Sequence, residues 1–226
     1  MIGYRHRMTR LAIFDCDGTL VDSQANICRA VEEAFDGARL APPPRNAIRR
    51  IVGLSLVEAM RILLPGADDA QHLALADDYK AAFFRLRSSG AMAEEPLYEG
   101  MIEALEALRA TGWALGVATG KSDRGLTHVL THHGIIDWFV TLQTADRHPS
   151  KPHPSMIATA MADAGALAAQ TVMIGDTSFD MEMARAAGTR AVGVAWGYHP
   201  VDELIDAGAH IVVDDVSALV AMLETP

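Results

Sequence analysis

Cysteine and positive charge are both scarce in this sequence. The 226 residues include only two cysteines, Cys16 and Cys28, and no CxxC pair. This excludes a disulfide scaffold and fits a reducing compartment. Lysine and arginine number 19 against 29 aspartates and glutamates, which gives a net charge of −10. Nucleic acids and anionic membranes attract basic surfaces, so we expect neither as a partner.

Long apolar runs are missing as well. No stretch approaches the length of a membrane span, and the basic opening MIGYRHRMTR lacks the apolar segment of a signal peptide. We therefore expect a cytoplasmic protein. Hydrophobic residues make up 50% of the chain, enough for one large domain with a smaller second one. The sequence leaves open whether the protein is a monomer or a homodimer.

Short unbroken apolar runs recur along the chain, separated in the C-terminal part by helical patterns. Runs of this length without polar alternation predict strands that are buried on both faces. They are Leu11 to Phe14, Trp113 to Ala118, Thr171 to Ile174, Ala191 to Ala195 and Ile211 to Val213. Alternating strands and helices predict an α/β fold with a doubly wound parallel sheet.

The region between the first predicted strand and the rest has a different pattern. Residues 24–95 show helical periodicity and no strand-like run, which predicts a helical insertion. We therefore predict a catalytic core of residues 1–23 and 96–226 and a small α-helical domain of residues 24–95 over the edge of the sheet.

Polar side chains follow the predicted strands at the edge where ligands of open parallel sheets bind. Taken singly, each has an ordinary structural explanation, such as a turn or a helix start. Their joint placement at one edge is what predicts a functional site. They are Asp15 and Asp17 after the first strand, Thr119, Gly120 and Lys121 after the second, Lys151 beyond the Thr141 to Thr144 region, and Asp176 and Asp180 after Thr171 to Ile174.

This set of residues suits magnesium and phosphate. Carboxylate oxygens are the ligands that Mg²⁺ prefers, and Asp15 and Asp176 are placed to share one ion, with Asp17 adding its backbone carbonyl. A carboxylate beside such an ion can act as a covalent nucleophile, and an acid two positions later can first donate a proton and then accept one. We expect Thr119, Gly120 and the backbone amides of the nearby loops to hold the phosphate oxygens, and Lys151 to offset negative charge.

In order and spacing, these residues resemble the four motifs of the haloacid dehalogenase superfamily, in particular its capped, phosphoglycolate phosphatase-like group. The matching segments are DCDGTLVD at 15–22, Thr119 in VATGKS, Lys151 in SKPHP and GDTSFD at 175–180. The resemblance covers nearly the whole chain. It implies a Rossmann-like core, a helical cap domain, a Mg²⁺ ion and a phosphoaspartate intermediate.

The resemblance also implies a role for each motif residue. The roles are nucleophile for Asp15, acid and base for Asp17, phosphate positioning for Thr119 and Lys151, metal ligand for Asp176 and a supporting role for Asp180. One departure concerns the second motif, where Gly120-Lys121-Ser122 stand in place of the Asn-Lys of many relatives. Gly120 and Lys121 are therefore candidate substrate-binding residues. In the cap, Arg49, Arg50 and the loop Val52-Gly53-Leu54-Ser55 are candidates for choosing the leaving group.

The predicted function is Mg²⁺-dependent hydrolysis of a small phosphorylated metabolite, with phosphoglycolate suggested by the resemblance alone. A sugar-phosphate phosphomutase shares every motif and stays an alternative, as does a pyrophosphatase. A phospho-accepting receiver domain uses similar acids, Thr and Lys. Against it stand Asp17, which is placed to speed hydrolysis, and an insertion of some seventy residues with no role in a compact switch.

Overall fold

A six-stranded parallel sheet forms the centre of the computed structural model, which describes residues 9–224. The strands are β1 (Arg10–Phe14), β2 (Trp113–Thr119), β3 (Phe139–Thr144), β4 (Thr171–Gly175), β5 (Arg190–Val194) and β6 (Ile211–Val213). Their order is β3-β2-β1-β4-β5-β6, and every pairing is parallel. The prediction of a doubly wound parallel sheet is thus confirmed.

Ten α-helices accompany the sheet in the described residues. They are α1 (Gln24–Gly37), α2 (Arg45–Arg49), α3 (Leu56–Leu63), α4 (Asp69–Ser88), α5 (Met101–Ala110), α6 (Asp123–His132), α7 (Ser155–Ala164), α8 (Ser178–Ala186), α9 (Val201–Asp206) and α10 (Val216–Glu224). Two short 3-10 turns occur at Ile136–Trp138 and Ala168–Gln170. Within residues 9–224, no helix combines the length and hydrophobicity that crossing a bilayer demands.

The central strand β1 is apolar at every position from Leu11 to Phe14. Successive side chains of a strand point to opposite faces. Ala12 and Phe14 pack into a cluster with residues of α5, α6 and α10. Leu11 and Ile13 pack on the other face with residues of α7 and α8. Both faces of β1 are therefore buried from Leu11 onward, which leaves no position for a polar side chain between Arg10 and Asp15.

Helices α1 to α4 lie between β1 and α5 in the chain and have their own apolar cluster. Its buried members include Ile27, Val31 and Phe35 of α1, Met60 of α3 and Leu75 of α4. We call residues 24–95 the cap and the remaining described residues the core. Helix α4 begins at a capping box, in which the backbone N–H of Gln71 donates to Asp68 at 2.8 Å and the Asp68 N–H donates to Gln71 at 3.1 Å.

The two segments that connect cap and core run side by side. Val21 and Leu97 form an antiparallel bridge. The backbone N–H of Asp22 donates to the carbonyl of Pro96 at 2.9 Å. On the cap side, the Asn26 side chain accepts from the Ala93 N–H at 2.8 Å and donates back to the Ala93 carbonyl at 2.9 Å. These hydrogen bonds tie the start of the insertion to its end.

Candidate active site

The loops that follow β1, β2 and β4 meet where the strand order reverses. β1 pairs with β2 on one side and with β4 on the other, so the residues beyond these three strands are neighbours. Ligands of open α/β sheets bind in the crevice at such a reversal. Asp15, Thr119 and Asp176 stand there, each at most 1% exposed.

Three carboxylates crowd together in this crevice. One oxygen from each of Asp15, Asp176 and Asp180 lies within 4.8 Å of the others, and all three residues are buried. Burial raises the pKa of Asp15 to about 7, although Lys151 offsets part of the rise. Burial and the nearby Asp15 also raise the pKa of Asp176 well above its ordinary value. Because these carboxylates are close together and shielded from solvent, all three can be ionised at once only if positive charge lies nearby.

Lys151 supplies one such charge. Its side chain is fully buried, and Nζ lies 2.9 Å from Oδ1 of Asp15 and 2.7 Å from Oδ1 of Asp180. Burial opposes its charged form, but the two carboxylates outweigh burial and hold the pKa of Lys151 above its usual value. One ammonium against three carboxylates leaves a formal charge of −2 when all are ionised.

The oxygens of Asp15 have fewer protein partners than those of the other two carboxylates. Apart from the ion pair with Lys151, neither oxygen has a hydrogen-bond partner among residues 9–224, although both are buried. A buried polar atom without a partner is costly unless something else satisfies it. Hard oxygen donors in a negatively charged pocket are what Mg²⁺ binds, so Asp15 and Asp176 fit a magnesium ion.

Asp176 is held in place by the two loops around it. Its Oδ1 accepts from the Thr19 hydroxyl at 2.7 Å, and its Oδ2 accepts from the Tyr198 N–H at 2.9 Å. Gly18 and Gly197 press against this carboxylate so closely that a Cβ on either would overlap Asp176 atoms. Gly18 also has a φ of +85°, a conformation that favours glycine.

Asp180 has both oxygens occupied by protein donors. Oδ1 faces Lys151, and Oδ2 accepts from the Thr177 hydroxyl at 2.7 Å and from its N–H at 3.1 Å. Asp180 therefore holds Lys151 and the start of α8.

Asp17 lies apart from the three clustered carboxylates. Its Oδ1 accepts a hydrogen bond from Ser23, the residue before α1, and lies 2.8 Å from Nζ of Lys121. Asp17 and Lys121 are each about one tenth exposed in their side chains. Burial disfavours the Lys121 ammonium, but Asp17 outweighs it and raises the pKa of Lys121. The structure thus brings Lys121 to the second acid of the first motif.

Gly120 lies directly under the cap. A Cβ at this position would come within 2.6 Å of the carbonyl oxygens of Gly53 and Leu54 in the loop before α3. The neighbouring Ser55 N–H donates to the Ser150 hydroxyl of the core at 2.9 Å. Glycine at 120 therefore allows the cap loop to rest on the end of β2, which explains why a larger residue does not fit there.

A cleft of about 770 Å³ opens between cap and core. The predicted cap loop, residues 52–55, lines it, and so do Asp17, Gly120 and Lys121. Arg49 and Arg50 are not among the residues that line it. Arg50 instead forms a bidentate ion pair with Glu203 of α9, with distances of 2.8 and 2.6 Å. Of the cap candidates, the loop faces the cleft, and Arg50 instead contacts the core through Glu203.

Three residues of the site were not singled out from the sequence. Ser23 and Thr19 follow the first acids within the same segment, and hydroxyls so close to a carboxylate pair are a usable signal. Tyr198 comes from the loop after β5, and its hydroxyl is buried without a hydrogen-bond partner in residues 9–224. Its segment, 196–199, follows the strand predicted over Ala191 to Ala195, a position that fits both an edge residue and a structural loop, so it was not among the predicted site residues.

Fold and site together define an α/β enzyme with a buried carboxylate centre under a helical cap. The sequence model of the haloacid dehalogenase-like hydrolases matches residues 12–194, and the chain belongs to this family. It is therefore a hydrolase, and the predicted family resemblance is confirmed.

Individual relatives agree with this assignment along nearly the whole chain. A protein of Dickeya dadantii strain 3937 named "Probable phosphatase IndB" is 37% identical over 218 residues, covering 94% of this chain and 93% of its own. A "Phosphoglycolate phosphatase" of Rhodospirillum rubrum is 32% identical and covers 94% and 90%. The crystal structure of a predicted phosphatase from Clostridium acetobutylicum superposes with a TM-score of 0.85 at 24% identity, covering 96% and 98%.

Proposed function

We propose that this hydrolase is a Mg²⁺-dependent phosphatase that cleaves a small phosphorylated metabolite through an aspartyl phosphate on Asp15. The observation that carries the proposal is the state of Asp15, a fully buried carboxylate whose oxygens accept no hydrogen bond from the described residues. Such a carboxylate is free to attack phosphorus. The phosphatase names of the relatives support the same reaction.

The reaction requires two steps that share one phosphorus atom. In the first, an oxygen of Asp15 bonds to phosphorus while the bond from phosphorus to the leaving oxygen breaks, and Asp17 gives that oxygen its proton. In the second, Asp17 takes a proton from a water molecule whose oxygen attacks phosphorus. Inorganic phosphate leaves, and the carboxylate of Asp15 is restored.

The surrounding residues stabilise the charge on the phosphoryl group. Lys151 places an ammonium 2.9 Å from Asp15, so it also lies close to a phosphoryl group on that residue. Thr119 and the backbone N–H groups after β2 would hold phosphate oxygens. Mg²⁺, held by Asp15, Asp176 and the backbone carbonyl of Asp17, would supply further positive charge. Positioning and charge account for most of the rate in phosphoryl transfer.

The position of Asp17 suits its role as acid and base. Ser23 and Lys121 both contact its Oδ1, which fixes the carboxylate at the boundary between core and cap. Asp17 also lines the cleft, whereas the buried Asp15 lies beneath it. A leaving group in the cleft would therefore be on the Asp17 side of the phosphate.

The proposal is tested by the substitution Asp15→Asn with a panel of phosphate esters, assayed for released phosphate with and without Mg²⁺. Turnover of every ester is expected to fall by about 10⁴-fold or more, with an unchanged circular dichroism spectrum. Asp22→Asn is the matched control, because Asp22 is exposed and accepts only the Gln24 N–H at 3.2 Å. Turnover by Asp15→Asn at the wild-type rate would exclude Asp15 as the nucleophile.

A further inference from the structure

The cap side of the cleft is far more apolar than a small polar substrate needs. The cleft has a volume of about 770 Å³, within the range of about 300–1,000 Å³ of pockets that enclose drug-sized ligands. Its apolar lining from the cap comprises Ile27, Val31, Ile51, Val52, Leu54, Leu56, Val57, Ala59, Met60, Tyr79, Phe83 and Phe84. The two-carbon leaving group of phosphoglycolate would fill a small part of this space and leave the apolar lining in contact with water.

Two arginines line the same cleft from opposite sides. Arg87 belongs to α4 of the cap and Arg124 to α6 of the core. The Arg87 guanidinium lies over the ring of Phe83 at 5.6 Å, and the Arg124 guanidinium lies over Phe84 at 5.1 Å. The second contact joins a core arginine to a cap aromatic ring, so both guanidinium groups gather at the α4 wall.

Neither arginine forms an ion pair with a carboxylate in residues 9–224. Nε of Arg87 is buried and has no hydrogen-bond partner within that range. The acids nearby are already engaged: Glu58 contacts Arg61, and Asp146 accepts the Asp123 N–H at 2.8 Å. Glu95, whose charge acts favourably on Arg87, accepts from Asn26 at 3.0 Å.

The two guanidinium groups also act against each other. Burial and the charge of Arg124 both lower the pKa of Arg87. Among the described residues, four other arginines of the cap have acidic partners, and one of them, Arg85 on the same helix as Arg87, lies 3.6 Å from Glu33. Two unpaired, mutually repelling cations beside an apolar surface form a place where an anion would relieve the repulsion and accept charge-assisted hydrogen bonds.

We propose, resting on the phosphatase function above, that the leaving group is a bulky, largely apolar alcohol bearing a carboxylate, which Arg87 and Arg124 bind. The apolar body of the leaving group lies against the cap residues, and its phosphate lies at Asp15. The substrate class is thus a phosphomonoester with two separated anionic ends, rather than a two-carbon acid phosphate or a neutral sugar phosphate.

Aryl phosphates separate the contributions of the carboxylate and the apolar body. The probes are phenyl phosphate, 4-carboxyphenyl phosphate, 4-(2-carboxyethyl)phenyl phosphate and phosphoglycolate, each assayed for kcat/KM with Mg²⁺. The two carboxylated esters differ in reach, so the distance to the arginines is sampled. For the carboxylated aryl ester that is hydrolysed faster, we expect a kcat/KM at least about tenfold above that of phenyl phosphate. The kcat/KM of phosphoglycolate should be lower than that of either carboxylated aryl ester.

The variants Arg87→Gln and Arg124→Gln should each bring the ratio of carboxylated to uncharged ester close to one. Arg85→Gln is the matched control on the same helix, since Arg85 is exposed, pairs with Glu33 and does not line the cleft. It should keep the wild-type ratio. A wild-type ratio near one for both carboxylated esters, or a ratio that survives in Arg87→Gln and Arg124→Gln, would overturn the proposal.

Binding separates failure of this inference from failure of the phosphatase function. The Kd values of benzylphosphonate and 4-carboxybenzylphosphonate, which are not hydrolysed, are measured by calorimetry for the wild type and the three variants. Absence of phosphate release from every ester would count against the phosphatase function alone. Tighter binding of the carboxylated phosphonate, lost in Arg87→Gln, would still support the arginine site, and equal binding of both phosphonates would overturn it.

Discussion

The buried carboxylate centre beneath the cleft, which we call the floor, and the cap wall of the cleft are built from opposite kinds of residue. The floor consists of fully buried charges, with Asp15 and Asp180 both in contact with Lys151. The wall consists of aliphatic and aromatic side chains with two unpaired arginines at the α4 end. The floor draws on residues from four loops of one sheet, whereas the wall belongs mainly to the insertion.

This difference suggests that the floor carries out the reaction and that the wall determines which substrate is preferred. Buried charges are fixed by their partners and tolerate little change, because removing one leaves the others uncompensated. Apolar walls recognise size and shape and can change with modest cost. We therefore expect substitutions in the floor to lower turnover of every ester, and substitutions in the wall to change which ester is preferred.

The largest effect is expected for Lys151→Met. Loss of the ammonium between Asp15 and Asp180 removes positive charge where the phosphoryl group forms, so kcat should fall by about 10³-fold for every ester. The measurement is steady-state phosphate release. Lys80→Met is the control, because Lys80 also lines the cleft but is exposed and paired with Asp77. A decrease in kcat for only one ester would contradict the assignment of the reaction to the floor and of substrate preference to the wall.

Magnesium binding should depend on pH through the floor. The pKa of Asp15 in the metal-free protein is about 7, raised by burial, and above its unfolded value of about 3.9. The folded protein thus retains a proton that the unfolded chain loses, so metal-free stability declines as pH rises between these values. Below pH 7 that proton must leave before Mg²⁺ binds.

We therefore expect the Kd for Mg²⁺ to rise by at least about tenfold for each pH unit below 7, because Asp176, whose pKa is also raised, must be ionised as well. Isothermal titration calorimetry from pH 5 to 8.5 measures this directly. Asp15→Asn has no proton to release at this position and should give a flatter profile. A wild-type Kd that is constant over the range would show that the floor does not titrate as described.

The contact between cap loop and floor is tested by Gly120→Ala. The added Cβ would lie 2.6 Å from the carbonyl oxygens of Gly53 and Leu54, so the loop must move away. We expect kcat/KM to fall about tenfold while the melting temperature changes little. Gly37→Ala is the control, because a Cβ there meets no atom within 4 Å. Unchanged kinetics in Gly120→Ala would show that this contact has no role in turnover.

The smallest effect is expected for the ion pair of Arg50 and Glu203. The two side chains are 51% and 34% exposed, and exposed pairs contribute about 0.2–1 kcal/mol. Arg50→Gln should lower the melting temperature by about 1–3 °C and leave kcat nearly unchanged. A double-mutant cycle with Glu203→Gln isolates the pair. A coupling energy above about 2 kcal/mol would mean that charge, and not the apolar loop, fastens cap to core.

The residues of the floor could be predicted from the sequence because they stand in the loops that begin at the ends of buried strands. The run Leu11 to Phe14 is apolar at every position since both faces of β1 are buried. Acids placed directly after β1 and β4 must then meet, since these strands pair. The family and the fold class were predicted correctly on this basis. The catalytic and metal-binding roles of the individual residues stay predictions.

The wall and the pairings across the boundary had no comparable signal. Arg87 belongs to the cap and Arg124 to the core, and the two meet because the cap rests on the core. Arg49 and Arg50 were the cap arginines singled out, and Arg50 pairs with Glu203 on the core. The contact of Lys121 with Asp17 likewise depends on how the loops after β1 and β2 pack. Hydrophobic periodicity indicates which residues of one helix or strand are buried. It does not indicate which residues of different elements come into contact.

The most direct test of the account is to trap the phosphate on Asp15. Asp17→Asn is incubated with 4-nitrophenyl phosphate, whose leaving group departs without a proton donor, so that the acyl phosphate forms and its hydrolysis is slowed. Borohydride then reduces an acyl phosphate to the alcohol, which converts that aspartate to homoserine, and peptide mass spectrometry locates the change. We expect homoserine at position 15. Release of 4-nitrophenol with Asp15 unmodified, or homoserine at another acid, would contradict it.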